Sequence, residues 1–301
     1  MKQPLAVLLS GIVDYAGLFP PAALDMSSAT RSYANYMDDP AALMLGRFVL
    51  PVLRLREFED AASPLLPRPE LHKPWRLSAL SGPDVAADLD LALKFNARHG
   101  GGSESGHAVI DSMETRASSA DEILAVGSVM PPQIAAFFEV PIADDPHTLI
   151  GAIKRSGGYA KARTGGVTPD AFPDSGSVAR FMMRCRDAGV AFKLTAGLHH
   201  PLRAEYRLTY AEDAPRGTMF GYLNMFVAAV LVWNGADEET VIQALLATEH
   251  DDFDVSDRAI AFRGQLLSEA VIADARSRFI LSFGSCSFRE PVDELATLSL
   301  A

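Results

Sequence analysis

Cysteine is scarce in this chain: Cys185 and Cys286 are the only two, and they form no CxxC or Cys/His spacing. That argues against a disulfide scaffold or a cysteine-rich zinc site and makes a reduced, cytoplasmic setting the expectation. Long apolar runs are missing too. The most apolar stretch, residues 219–233, is shorter than the ~20 residues a bilayer span needs and contains Asn224. It reads as a buried helix or a subunit-contact helix, the latter fitting a homodimer. No Lys/Arg-rich run relieves a net charge of −11, so the electrostatic footprint of a nucleic-acid binder is absent. Membrane and nucleic acid therefore drop out as expected partners. There is also no Pro/Gly/Ser linker, low-complexity tract or repeat to divide the chain. Residues 1–13 carry one lysine and are followed by no Ala-x-Ala site, so they read as a first strand rather than a secretory signal.

What is present is a repeating punctuation. Short apolar runs alternate with helical patterns, the signature of βα units around a parallel sheet. Strands are predicted near residues 11–14, 47–51, 75–80, 108–111, 136–140, 159–163, 191–195 and 279–283, a count of eight. Asp145-Pro146 and Gly157 bracket one helix, Gly82-Pro83-Asp84 opens another, and residues 177–188 form a third ending at Gly189. With 301 residues and 49% hydrophobic content, the chain fits one α/β domain over residues 1–301, a (β/α)8 TIM barrel. About eighty residues separate strands seven and eight, where a barrel crossover needs far fewer. Residues 204–276 are thus predicted to be a helical insertion: helices at 218–233, 237–247 and 265–275, with a polar turn at 250–257.

Two strand-like segments carry the chemistry: Tyr159-Ala-Lys161-Ala-Arg163-Thr-Gly-Gly166 and Ala191-Phe-Lys193-Leu-Thr195-Ala-Gly197. A lysine on a buried strand is expensive unless it is paired or used. Two on consecutive strands are expected to depress each other's pKa, one way to make an amine nucleophilic near neutral pH. Strand periodicity puts Arg163 one layer above Lys161 and Thr195 above Lys193. Other strand ends offer Asp14, Asp111 and Glu139, so that charges of both signs converge at the catalytic face of a barrel. Gly165-Gly166 and the loop Gly284-Ser285-Cys286-Ser287, ahead of a short helix at 290–296, are expected to bind an anion through backbone N–H groups. His199-His200 follow strand seven. With no HxH or HExxH spacing they read as loop histidines or a proton shuttle rather than metal ligands.

These segments resemble the deoxyribose-phosphate aldolase family. The likeness lies in Ala160-Lys161-Ala-Arg-Thr-Gly-Gly, in Val178-Ala-Arg-Phe-Met-Met-Arg-Cys-Arg-Asp-Ala-Gly189 and in Phe192-Lys193-Leu-Thr-Ala-Gly197. Phe138-Glu139-Val140 and Phe283-Gly-Ser-Cys-Ser287 are similar to its fifth-strand and phosphate-loop segments, and Asp111 to its strand-four aspartate. The resemblance implies a barrel in which Lys161 forms a Schiff base, Lys193 tunes it and Asp111 helps to move protons. Two features depart from the family: Arg163 stands where it has a small hydroxyl residue, and His199-His200-Pro201 with the long insertion is foreign to it. A fixed guanidinium beside the lysine suits a carboxylate or a phosphate.

The expected function is a class I aldolase-like lyase with no cofactor and no metal, acting on a small anionic carbonyl substrate, phosphorylated or carboxylated. Lys161, Lys193, Asp111 and Glu139 would be catalytic. Asp14, Arg163, Gly165, Gly166, Thr195, His199, His200, Gly284, Ser285 and Ser287 would bind substrate. Two alternatives stay open: an isomerase or decarboxylase using the lysines as acid and base without an imine, and a non-catalytic anion-binding barrel.

Overall fold

In the computed structural model, which describes residues 1–68, 73–100 and 106–298, eight parallel strands close into a barrel flanked by helices. Residues 69–72, 101–105 and 299–301 of the expected domain lie outside that description. The barrel strands are β1 (Val13–Tyr15), β2 (Leu45–Pro51), β3 (Trp75–Leu80), β4 (Ala108–Arg116), β5 (Ala135–Glu139), β6 (Tyr159–Arg163), β7 (Phe192–Thr195) and β8 (Ile280–Ser285). Each pairs with its chain neighbours, and β8 closes the ring against β1 with Asp14 opposite Gly284. This is the arrangement of a (β/α)8 barrel.

Strand alternation divides the side chains. Phe48, Leu77, Phe138, Ala160, Phe192 and Phe283 face the helices and are buried. Phe283, for example, stacks on Tyr222 and meets Phe226 edge-on, with ring centroids 5.5 and 6.0 Å apart. The opposite faces of the same strands turn polar and charged groups inward. The helix boundaries follow their capping residues. Asp84 accepts the Ala87 N–H and Asp174 the Ser177 N–H, while Gly157 and Gly189 end their helices at φ +73° and +62°.

Three readings of the sequence are corrected. Residues 3–9 are a helix (Gln3–Leu9), with a proline in its first turn, that packs on the helix Glu269–Arg278; the first strand starts only at Val13. The stretch between β7 and β8 is not wholly helical. It opens with a hairpin, Ala204–Arg207 against Arg216–Met219, so the apolar helix spans Tyr222–Trp233 instead of starting at residue 218. Further on, Phe253–Val255, Ala259–Phe262 and Gln265–Ser268 form an antiparallel three-stranded sheet, where a turn and the start of a helix were expected. Arg263 and Gly264, both at positive φ, make the two-residue turn that pairs Phe262 with Gln265, and Ser268 then caps the helix Glu269–Arg278.

The apolar helix is fully buried from Tyr222 to Val232 by its own chain, packed on β8 and the helices Ser175–Ala188, Glu238–Leu246 and Glu269–Arg278. Its apolar surface therefore supplies no argument for a second subunit. No helix among the described residues is long and apolar enough to cross a membrane.

Candidate active site

Five charged side chains meet inside the barrel. Lys161 and Lys193 are register partners on β6 and β7, and Glu139 on β5 is opposite Lys161. Lys193 Nζ lies 2.5 Å from Asp14 Oδ2 and 2.7 Å from Glu114 Oε1. Lys161 Nζ lies 2.7 Å from Glu114 Oε2 and 2.7 Å from Glu139 Oε2. Glu114 thus bridges the two amines, which a carboxylate with C–O bonds of about 1.2 Å holds within about 8 Å of each other. Ser78 donates to Glu114 and Ser282 to Asp14, and Asp14 also accepts the Arg47 backbone N–H. Every ion in the network has more than one partner, as buried charge requires.

Burial alone would push all three carboxyls up. For Asp14, the Lys193 and Arg47 charges outweigh it and hold the carboxyl below its ordinary range. For Glu114 the two ammonium groups hold it far below, and for Glu139 Lys161 and then Arg163 do so more mildly. Burial pulls Lys193 down, but Asp14 and Glu114 pull harder, and its pKa is raised. The expected mutual depression of the two lysines therefore fails for Lys193: the carboxylates between them decide its sign, not the amine–amine repulsion.

The network has a buried end and an open end. Asp14 and Lys193 are closed off, whereas Glu139 is the last residue of its strand and its side chain is 13% exposed. Arg163 and Arg116 end β6 and β4, and each approaches Glu139 Oε1 at 3.5 Å, with side chains 46% and 83% exposed. Lys161 is the lysine that touches this open end.

Of the expected site residues, Asp14, Glu139, Lys161 and Lys193 converge, with Arg163 at the rim. Asp111 does not. It is the extra residue of a bulge, since Leu77 pairs with Ile110 but Ser78 with Ser112. It lies earlier on β4, held at 2.5 Å by both Arg47 and Arg76. Glu114, three residues on, takes the expected position. Gly165 and Gly166 serve packing: a Cβ on Gly165 would stand 2.5 Å from the Phe172 ring and 2.8 Å from the Gly197 backbone, and one on Gly166 2.7 Å from Ala171.

The loop after β8 is also differently employed. The Ser287 N–H donates to the Ser285 hydroxyl, and the Glu290 N–H to the Ser287 hydroxyl. Glu290 itself brings a carboxylate to the first turn of the helix Arg289–Thr297. Two donors of the expected anion site are thus already taken and a negative charge stands beside them. Gly284 abuts Thr195, whose hydroxyl would lie 3.1 Å from an added Cβ. His199 pairs with Glu290 at 3.1 Å and His200 with Glu294 at 2.7 Å, tying the loop after β7 to that helix. Both histidines line a cleft of about 240 Å³ with Pro21, Tyr206, Tyr210 and Met219, on the same barrel face but not in contact with the lysines. Among the described residues no group of His, Cys, Asp and Glu is arranged to hold a metal ion.

Sequence reasoning missed Glu114, Arg116, Ser78 and Ser282. The signal for Glu114 was the spacing Ser112-x-Glu114 on a strand that continues past Asp111; the bulge hid it by shifting the phase of the alternation. No family model, curated protein or solved structure matches the chain.

Proposed function

We propose that this protein is a class I aldolase-like lyase in which Lys161 forms an imine with a small anionic carbonyl compound. The observation that carries the reading is the placement of Lys161 between the buried Glu114 and the partly open Glu139. A proton passed from Nζ to Glu139 Oε2, 2.7 Å away, leaves a neutral amine at the open end of the network. The amine attacks the carbonyl carbon to give a carbinolamine. Glu139 returns its proton to the departing hydroxyl as water, leaving an iminium. The bond between the α and β carbons then breaks, its electrons forming an enamine, while the β-hydroxyl gives its proton to Glu139 and becomes the carbonyl of the released fragment. Lys193, held charged between Asp14 and Glu114, keeps Glu114 ionised. The likeness to deoxyribose-phosphate aldolases favours the same lysine. Asp111, engaged by two arginines, has no part in this scheme.

One observation favours a second reading. Each lysine is fully paired, so the network is also what a non-catalytic anion-binding barrel would contain. Borohydride added with a panel of aldehydes, keto acids and sugar phosphates separates the two. The lyase reading expects a mass adduct on a peptide containing Lys161, lost in Lys161→Arg because a guanidinium keeps the charge but is no nucleophile. An adduct on Lys193 reverses the roles. Absence of any adduct on the folded protein ends the imine reading.

A further inference from the structure

The open end of the site carries positive charge that the network does not use. Asp14, Glu114 and Glu139 face Lys161, Lys193, Arg116 and Arg163, three carboxylates against two ammonium and two guanidinium groups. Arg47, whose charge also reaches Asp14, is itself paired with Asp111, so one positive charge is left over, and it sits where Arg116 and Arg163 approach the same oxygen of Glu139 from two strands. Neither approach, at 3.5 Å, has the 2.7–2.9 Å length of a charge-assisted hydrogen bond. Arg163 makes one further contact, 3.5 Å to the Gly165 carbonyl. Most of the ten N–H donors of the pair are therefore unspent, on side chains anchored at the last residues of β4 and β6.

We infer that Arg116 and Arg163 form a clamp for a carboxylate, and that the substrate of the Lys161 site is a short oxo acid rather than a sugar phosphate. This rests on the imine reading for the role of Lys161, but the clamp itself does not. Three observations point the same way. The excess of one charge matches a monoanionic carboxylate better than a phosphate, which carries close to two. The loop after β8, where a barrel often holds phosphate, has donors already engaged and Glu290 beside them. Reach is the third. Arg116 and Arg163 approach one oxygen of Glu139 through their Nε atoms and Lys161 holds the other, so by C–O bonds of about 1.2 Å those Nε atoms stand no more than about 9 Å from the amine. A carboxylate one or two carbons from the carbonyl fits between them; a phosphate at the far end of a pentose chain overshoots.

The clamp also couples binding to chemistry. When Glu139 accepts the Lys161 proton it ceases to neutralise the arginines, and their donors turn to the incoming carboxylate. The substrate anion thereby favours the protonation state that frees the amine.

Two measurements test this. Lactate, which has the carboxylate but no carbonyl, should bind the wild-type protein by calorimetry, tighter than inorganic phosphate. Its affinity should fall at least tenfold in Arg116→Gln and in Arg163→Gln, with Arg116→Lys intermediate because it keeps the charge and loses the fork. Borohydride trapping should then half-saturate at a pyruvate concentration at least tenfold below that for acetone, the uncharged counterpart. In Arg116→Gln the ratio between the two half-saturating concentrations should collapse at least tenfold. Failure of lactate to bind, tighter binding of phosphate, or indifference to both substitutions overturns the clamp, whatever the trapping shows. Lactate binding that depends on both arginines, with no carbonyl compound trapped, leaves the clamp standing and removes the imine.

Discussion

Lys161 and Lys193 stand side by side in the ladder between β6 and β7, and each places its amine against a different oxygen of one glutamate. Two like charges on neighbouring strands would repel in a medium of low polarity. Glu114 converts that repulsion into a chain of alternating charge that runs from Asp14 through Lys193, Glu114 and Lys161 to Glu139.

Glu114→Gln is expected to be the most damaging single change within this chain. It removes the shared counter-charge of two buried amines while keeping the shape of the side chain. Breaking a buried pair in this way costs on the order of 3 kcal/mol. The unfolding midpoint in urea should fall accordingly, and Lys193→Met combined with Glu114→Gln should recover part of the loss. A double variant as unstable as the two single losses summed would show that the groups do not interact.

The acid limb of stability should belong to this network. Asp14, Glu114 and Glu139 have folded pKa values below their ordinary 3.8 and 4.5. Their stabilisation is therefore complete above about pH 5 and fades as pH falls through the depressed folded values. Lys193 is raised above 10.5, so its contribution is complete below that value and fades only as pH climbs through the raised one. The urea midpoint should thus fall on acidification below about pH 5 and hold through neutral pH to about pH 10 as far as these groups decide it. Asp14→Asn should flatten the acid limb, and an unchanged limb would assign it to other carboxylates.

Phe226→Ala probes the buried helix. Its ring meets Phe283 of β8 at 6.0 Å and lies under the Arg276 guanidinium at 5.0 Å. Truncation leaves a cavity between barrel and helix and should cost about 3–5 kcal/mol. Sedimentation of the same variant should show no change in subunit number, since this helix is covered within its own chain.

The barrel was legible because its code is local. The runs at Trp75–Leu80 and Tyr159–Arg163 start and stop at the residues where their punctuation says they should. Lys161, Lys193, Asp14 and Glu139 could be brought together from alternation alone. Asp111 could not be told from Glu114, because a bulge is decided by the neighbouring strand, through the shift between Leu77 and Ser78, and not by the residues of β4. The sheet at residues 253–268 escaped for another reason. Gln265-Leu-Leu-Ser268 has no helix-breaking residue, and only the Arg263-Gly264 turn forces it back along Phe262. Arg116 was hidden as well, since an exposed arginine at a strand end looks the same in sequence whether or not it leans on a carboxylate of the neighbouring strand.

The long excursion between β7 and β8 has a consequence for how the molecule is made. A ribosome emitting about 5–20 residues each second needs roughly 4–17 s to traverse the segment between Thr195 and Ile280. Throughout that interval β1 and β7 each have an edge with nothing to pair with, and Asp14 lacks the strand that carries Ser282. The Asp14–Lys193 contact spans that same gap in the ring. Assembly of the lysine centre is thereby tied to arrival of the eighth strand, so a nascent chain stalled inside the excursion would carry both amines in an unclosed ring, with Asp14 short of its Ser282 donor.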